Sequence, residues 1–123
     1  MSLNAYQRTL KSTEDPRNTE YRLFAEITRD LMSVQQGGGS GQGVPAALIE
    51  AIDRNRRLWI ALASDCADDN NLLPRETRAS IISLSIWVQK YSRSVTRDKE
   101  DITPLIEINR TIMKGLQSPA AVR

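Results

Sequence analysis

Residues 48–66 read LIEAIDRNRRLWIALASDC, and apolar side chains recur along this stretch every three or four positions. This spacing places one set of side chains on a single helix face, which is the pattern of a helix that packs against other helices. The set consists of Leu48, Ile52, Asn55, Trp59, Leu62 and Cys66. Its asparagine interrupts an otherwise apolar stripe, and a buried amide needs hydrogen-bond partners.

Two later stretches repeat the same spacing. One carries Ile81, Leu84, Val88, Tyr91 and Val95, and the other carries Ile102, Leu105, Asn109, Ile112 and Leu116. We find no alternating apolar and polar run of the kind that a strand would show. The sequence therefore predicts an all-α protein in which packing between helices is the main source of order.

Helix start and stop signals predict a compact bundle of about five helices in a single domain, residues 1–123. The predicted helices cover about residues 2–11, 16–36, 45–66, 74–96 and 101–115, with a frayed tail at 117–123. The first is short and carries Leu3, Tyr6 and Leu10 on one face. The helix at 74–96 is apolar over more than half of its circumference, so we expect it at the centre of the bundle.

Residues 37–43, GGGSGQG, hold five of the six glycines and separate the second and third predicted helices. Glycine loses much backbone freedom when it is ordered, so we expect a flexible Gly-rich loop. Such a composition is also typical of an engineered linker, and both origins stay open.

The composition excludes several classes of function. Basic residues number 17 against 15 acidic, a net charge of +2 that does not indicate a dedicated nucleic-acid binder. No histidine is present and Cys66 is the single cysteine, so we expect no disulfide, no metal site, no cofactor and no catalysis. Neither a secretory signal nor a membrane span is recognisable, which favours a cytoplasmic protein without membrane contact.

Several side chains have competing interpretations. The predicted core comprises Phe24, Ile52, Trp59, Leu62, Leu84, Val88 and Ile112. We expect Asn55 and Asn109 to form a structural polar seam, bonding the backbone or each other, in preference to a ligand. Trp87 lies at the edge of its helix face, where partner contact and core are about equally expected. The basic segment 90–97 fits a solvated helix end better than an RNA-binding strip.

Five segments together resemble the flagellar biosynthesis regulator FlaF family, in the family's order and over nearly the whole chain. They are Asn4-Ala5-Tyr6, Glu20-Tyr21-Arg22-Leu23, Asn55-Arg56-Arg57-Leu58-Trp59, the run from Ile81 to Val88 and the run from Leu105 to Met113. The Gly-rich run at 37–43 departs from the family's pattern.

The resemblance implies a cytoplasmic regulator of flagellin synthesis and flagellum assembly. It implies binding to flagellin before export, at flagellin's terminal helical segments, in the manner of a secretion chaperone, and work beside the partner regulator FlbT. The candidate contacts are Tyr6, Leu10, Tyr21, Arg56, Arg57 and Trp87. The alternative is a post-transcriptional regulator that acts with FlbT on flagellin messenger RNA. The oligomeric state stays open.

Overall fold

The computed structural model describes residues 16–36 and 45–117, and within them the side chains of residues 19–35 and 45–115. This part of the chain forms four helices and no strand, which confirms the all-α prediction. The helices are α1 (Pro16–Gln36), α2 (Ala46–Ala67), α3 (Arg75–Asp98) and α4 (Thr103–Gln117). The predicted short helix at 2–11, the Gly-rich loop at 37–43 and residues 118–123 of the predicted tail lie outside the described residues, whereas Gln117 belongs to the last helix.

Helix α2 packs against two neighbouring helices. On one flank it packs against α1, where Arg54 pairs with Asp30 and Glu26. On its other flank it packs against α3, where Ser85 Oγ donates to the Trp59 carbonyl at 3.1 Å. The prediction that α3 is central is wrong, because α3 packs mainly on α2 and the described residues leave part of its broad apolar face exposed.

Helix α4 closes the bundle by packing along α1 in the antiparallel direction. Gln35 Nε2, at the end of α1, donates to Thr103 Oγ1 at the start of α4 at 2.7 Å. Nearer the start of α1 and farther along α4, Asn109 Nδ2 donates to Thr28 Oγ1 at 3.1 Å. Helices α3 and α4 contact each other little. The four helices therefore follow each other around the core in the order α4, α1, α2, α3.

The core lies where α1, α2 and α4 meet, with α3 against α2. Trp59 is fully buried, and the edge of Phe24 packs on its ring with centroids 5.5 Å apart at 85°. Five residues of the predicted core are buried, namely Phe24, Ile52, Trp59, Leu62 and Val88. Leu84 and Ile112 are only half-buried and pack against the edge of the core. Their partial exposure follows from the small contact between α3 and α4.

Local signals in the sequence set the ends of the helices. Proline precedes α2 and α3, at Pro45 and Pro74, and its restricted φ prepares the chain for a helix start. Asp101 caps α4, since its carboxylate accepts from the Thr103 N–H at 3.0 Å and the Thr103 hydroxyl at 2.8 Å. These bonds lower the pKa of Asp101. The cap therefore stabilises the fold above the ordinary aspartate pKa and is lost as the pH falls through the lowered value.

Lys99 ends α3 in the left-handed conformation, with φ 57°, and its N–H donates to the Ser94 carbonyl. Glycine adopts this conformation without the steric cost that a side chain imposes. We expect Lys99→Gly to raise the free energy of unfolding by about 0.5 to 1 kcal/mol in urea denaturation. Lys90→Gly, in the interior of the same helix, should instead lower it by about 1 kcal/mol. Equal effects of the two substitutions would contradict this account.

Candidate partner-binding groove

A polar cluster lies at the centre of the bundle. Trp59 Nε1 donates to Asn109 Oδ1 at 2.8 Å, and Asn109 Nδ2 donates to Asn55 Oδ1 at 2.7 Å and to Thr28 Oγ1. All four side chains are buried, and Asn55 and Asn109 have no exposed surface. The two asparagines therefore bond each other and tie α4 to α1 and α2. Because both amides are fully buried, a ligand from solution cannot reach them.

Thr28 is a member of this cluster that the sequence analysis missed. It lies one turn after Phe24 on the buried face of α1 and is itself 4% exposed. The sequence could have indicated a buried polar residue here, because Thr28 lies among apolar residues on that face, as Asn55 and Asn109 do on theirs. The three apolar stripes described above lie between residues 48 and 116, so they do not include Thr28 on α1.

Among the side chains that the structure describes, the most exposed aromatic ring lies on the flank of α3 that faces α4. Trp87 is 38% exposed, and its ring stacks on that of Tyr91 with centroids 5.0 Å apart and 14° between the planes. The Tyr91 hydroxyl donates to the Asp101 carbonyl at 2.5 Å, just before α4 begins. Leu84 precedes Trp87 by three positions and lies on the same flank, half-buried. Together these side chains form the α3 wall of a groove.

Helix α4 supplies the opposite wall. Thr103 and Arg110 lie on the flank of α4 that contacts α1, where Arg110 Nη2 is 3.4 Å from Met32 Sδ. Ile108 and Ile112 lie on the other flank and are half-buried. We call the space that the described residues leave between these walls the α3–α4 groove; its residues are Leu84, Trp87, Tyr91, Ile108 and Ile112. These five side chains are apolar apart from the Tyr91 hydroxyl and the Trp87 indole N–H.

The structure places the described members of the predicted contact set, Tyr21, Arg56, Arg57 and Trp87, at separate positions. Arg56 Nε donates to Gln89 Oε1 at 2.9 Å, and Gln89 lies on the flank of α3 away from Trp87, because two helix positions differ by about 200°. Arg57 is exposed and pairs with Asp53 at 3.0 Å on α2. Both arginines are thus remote from the α3–α4 groove.

The remaining predicted contacts lie on α1 or before it. Tyr21 is half-buried in the early turns of α1, at the end of the bundle where α4 finishes. Tyr6 and Leu10 fall outside the described residues. The candidate binding site is therefore the α3–α4 groove at Trp87.

A second hollow lies on the opposite side of α3. It has a volume of about 470 Å³ and is lined by residues of α2 and α3, including Ile49, Ile52, Arg56, Ser92 and Thr96. The Ser92 hydroxyl is buried and has no hydrogen-bond partner. Sequence periodicity did not indicate this hollow, because a cavity between two helices depends on how closely their flanks approach.

The single cysteine is buried at the end of α2. Burial, together with the charges of Glu20 and Asp65, raises the pKa of the Cys66 thiol, so the neutral thiol predominates at neutral pH. Within residues 16–36 and 45–117, no group of three or more carboxylate or thiol side chains is placed to hold a metal ion. None of the helices described combines the length and the apolar character needed to cross a bilayer.

The fold and the groove define a small all-helical protein with a partly exposed apolar cleft. The family model for the flagellar protein FlaF matches residues 2–116, nearly the whole chain, so this protein belongs to the FlaF family. The resemblance inferred from the sequence is confirmed. FlaF is a family of flagellar proteins and not a known enzyme family. No curated protein and no solved structure matches the chain.

Proposed function

We propose that this FlaF-family protein binds flagellin before export and that the α3–α4 groove receives an amphipathic terminal helix of flagellin. The observation that carries the proposal is Trp87, a large ring left 38% exposed in an apolar groove between two helices. Tryptophan and tyrosine are enriched among the residues that dominate binding energy at protein interfaces. Helix-in-groove recognition uses such a surface to hold the apolar face of a partner helix.

The dimensions of the α3 wall suit a short helical segment. Leu84 and Tyr91 are seven positions apart, so the wall extends for about 10 Å, or two helical turns. A partner helix with apolar residues at positions i, i+3 or i+4, and i+7 would cover this length. Covering such segments would keep flagellin from associating before its export, and this role needs no catalytic group.

The alternative function is post-transcriptional control of flagellin messenger RNA together with FlbT. It is favoured by a basic stripe on the outward face of α3, formed by Lys90, Arg93 and Arg97, all of them exposed. Cationic side chains at this spacing can follow a phosphate backbone. Lysine and arginine also suit a helix end without any partner, so the groove supports the flagellin hypothesis more strongly than the stripe supports RNA binding.

Titration of fluorescently labelled flagellin terminal segments with the protein tests the proposal. We expect saturable binding at micromolar concentration, and Trp87→Ala should weaken it about tenfold or more because the ring is the anchor of the groove. Ile60→Ala is the matched control, since Ile60 is 51% exposed on α2, outside the groove. Absence of saturable binding, or equal losses in the two variants, would contradict the proposal.

The salt dependence of binding, measured in the same titration, distinguishes the flagellin hypothesis from the RNA hypothesis. Binding to an RNA through the stripe should weaken steeply as salt rises and should respond to Arg93→Ala and Arg97→Ala. Binding of flagellin in an apolar groove should depend weakly on salt and should respond to Trp87→Ala. A steep salt response shared by both ligands would favour the RNA hypothesis.

A further inference from the structure

Three half-exposed isoleucines lie on the side of α3 opposite the α3–α4 groove, namely Ile49, Ile60 and Ile86. On α2, Ile49 precedes Arg56 by seven positions and Ile60 follows it by four, so these side chains share one flank. On α3, Ile86 precedes Gln89 by three positions and shares its flank. Because Arg56 Nε donates to Gln89 Oε1 at 2.9 Å, both flanks lie on the same side of the contact between α2 and α3.

The hollow between α2 and α3 forms one end of this area. Its volume is about 470 Å³, and Ile49, Ile52 and Arg56 line it from α2, whereas Ser92 and Thr96 line it from α3. Ligand pockets in proteins commonly have volumes of this order. The hollow therefore has room for apolar side chains of a partner.

The other end of the area is formed by Ile60, Ile82 and Ile86. Ser85 Oγ donates to the Trp59 carbonyl at 3.1 Å, so the residues that follow these two, Ile60 and Ile86, lie at a similar level of the bundle. Ile82 precedes Ile86 by one turn and is half-buried. From Ile49 to Ile60 the area extends for about 16 Å along α2. We call it the α2–α3 surface; its apolar residues are Ile49, Ile52, Ile60, Ile82 and Ile86.

Cations border the α2–α3 surface along α3. The basic stripe of Lys90, Arg93 and Arg97 continues from Ile86 toward the end of the helix and is exposed. Within residues 19–35 and 45–115, no carboxylate forms a salt bridge with any of these three side chains. Arg56 likewise bonds the neutral amide of Gln89 and not a carboxylate. These charges are therefore available to an acidic partner.

The carboxylates that line the hollow are Glu50 and Asp53. Asp53 is paired with Arg57 at 3.0 Å, and Glu50 is exposed to solvent. Cations thus outnumber carboxylates on the described part of the surface. Since complementary charge steers association and disfavours partners of like charge, the surface suits an acidic partner better than a basic one.

We propose that the α2–α3 surface is a second docking site and that its occupant is an acidic amphipathic helix of a partner protein. Apolar residues of that helix at positions i, i+4, i+7 and i+11 contact the isoleucines, and carboxylates beside them face Lys90, Arg93 and Arg97. The proposal does not depend on flagellin binding, which uses the opposite flank of α3. With both sites, the protein holds two partners at once.

The isoleucines favour a helix over RNA as the occupant. Single-stranded RNA is held by cations together with aromatic side chains on which its bases stack. The described aromatic residues of α3, Trp87 and Tyr91, stack on each other on the flank that faces α4. Aliphatic side chains beside cations instead match the apolar face and the acidic edge of an amphipathic helix.

Titration with a designed peptide tests the proposal. The probe is a fluorescein-labelled helical peptide of about 18 residues, with leucine at positions i, i+4, i+7 and i+11 and glutamate on both sides of that stripe. A matched peptide carries lysine in place of each glutamate. In fluorescence anisotropy we expect saturable binding of the acidic peptide at micromolar concentration and at least about tenfold weaker binding of the lysine peptide. Equal binding of the two peptides, or no saturable binding of the acidic one, would overturn the proposal.

Charge reversal on α3 gives a readout that a loss of folding cannot imitate. Arg93→Glu should weaken binding of the acidic peptide about fivefold and strengthen binding of the lysine peptide by a similar factor. The matched control is Arg110→Glu, the same change on the flank of α4 that contacts α1, and it should alter neither affinity by more than about twofold. Similar losses for both peptides in Arg93→Glu would contradict the role of charge.

Substitution of the isoleucines locates the bound peptide. Ile60→Ala/Ile86→Ala should weaken binding of the acidic peptide about tenfold, whereas Trp87→Ala should leave it within about twofold. A larger loss in Trp87→Ala would place the peptide in the α3–α4 groove and refute the second site. Flagellin binding responds in the opposite way to these variants, so the two proposals fail separately.

Two other occupants are distinguished by the same variants. If a single-stranded oligouridylate displaced the peptide and depended on Arg93 but not on the isoleucines, the basic stripe would belong to RNA and the proposal would be wrong. If sedimentation showed dimers that Ile60→Ala/Ile86→Ala abolished, the surface would belong to a second copy of the chain, which also contradicts the proposal.

Discussion

Asn109→Ala is expected to lower the free energy of unfolding by about 3 to 4 kcal/mol, measured by urea denaturation followed by circular dichroism. The Asn109 amide accepts from Trp59 and donates to Asn55 and to Thr28, so one substitution removes the shared partner of three buried groups. The Trp59 indole N–H and the side-chain oxygen Oδ1 of Asn55 would then be buried without hydrogen-bond partners. A buried polar group without a partner lowers the free energy of unfolding by its full desolvation cost. Glu107→Ala, on the exposed side of the same helix, should change stability by less than about 0.5 kcal/mol.

Asn55→Ala provides a sharper comparison within the same cluster. Asn55 is as deeply buried as Asn109, but its Nδ2 already lacks a partner and its oxygen accepts one bond from Asn109. Its removal therefore eliminates an unsatisfied donor along with that bond, and we expect a loss of about 1 to 2 kcal/mol. Losses of equal size at the two positions would contradict the assignment of Asn109 as the centre of the cluster.

Trp59→Ala is expected to have the largest effect of any single substitution, a loss of about 4 to 5 kcal/mol. The ring is fully buried, receives the edge of Phe24 and donates to Asn109, so truncation leaves a cavity and an unpaired acceptor together. Since small domains are stable by about 5 to 15 kcal/mol, this variant is expected to be close to unfolded at room temperature. Thermal and urea denaturation both measure the loss.

Two companion substitutions keep this prediction testable in a folded protein. Trp59→Phe preserves an aromatic ring beside Phe24 but removes the donor, and should cost about 2 kcal/mol. Trp87→Ala truncates a tryptophan that is 38% exposed and should cost about 2 kcal/mol of stability, clearly less than Trp59→Ala. If Trp87→Ala destabilised the protein as much as Trp59→Ala, Trp87 would be a core residue and not a binding residue.

The correspondence between sequence and structure was closest for local features. Pro16 begins a helix and Asp101 caps one, as predicted, because capping and proline geometry depend on a few neighbouring residues. Burial of Trp59 also followed from its place in the middle of an apolar stripe. The family assignment depends on the same short motifs.

Features that depend on the packing of two helices were harder to predict from the sequence. The width of the apolar face on α3 led to its placement at the centre, whereas the structure leaves Trp87 at the edge of a groove. Arg56 and Arg57 are adjacent to the stripe of α2 but face Gln89 and Asp53, away from Trp87. Helical periodicity shows which face of a helix is apolar but does not show which neighbour covers it.

The sequence by itself determined the helical class, the four described helices and the buried asparagines, because these depend on apolar spacing of three and four residues within one helix. Only the tertiary structure decided that Asn109 joins Trp59, Asn55 and Thr28, and that α3 and α4 leave a groove between them. The physical reason is that these features depend on contacts between residues far apart in the chain. Such contacts follow from how whole helices pack, and no local pattern encodes them.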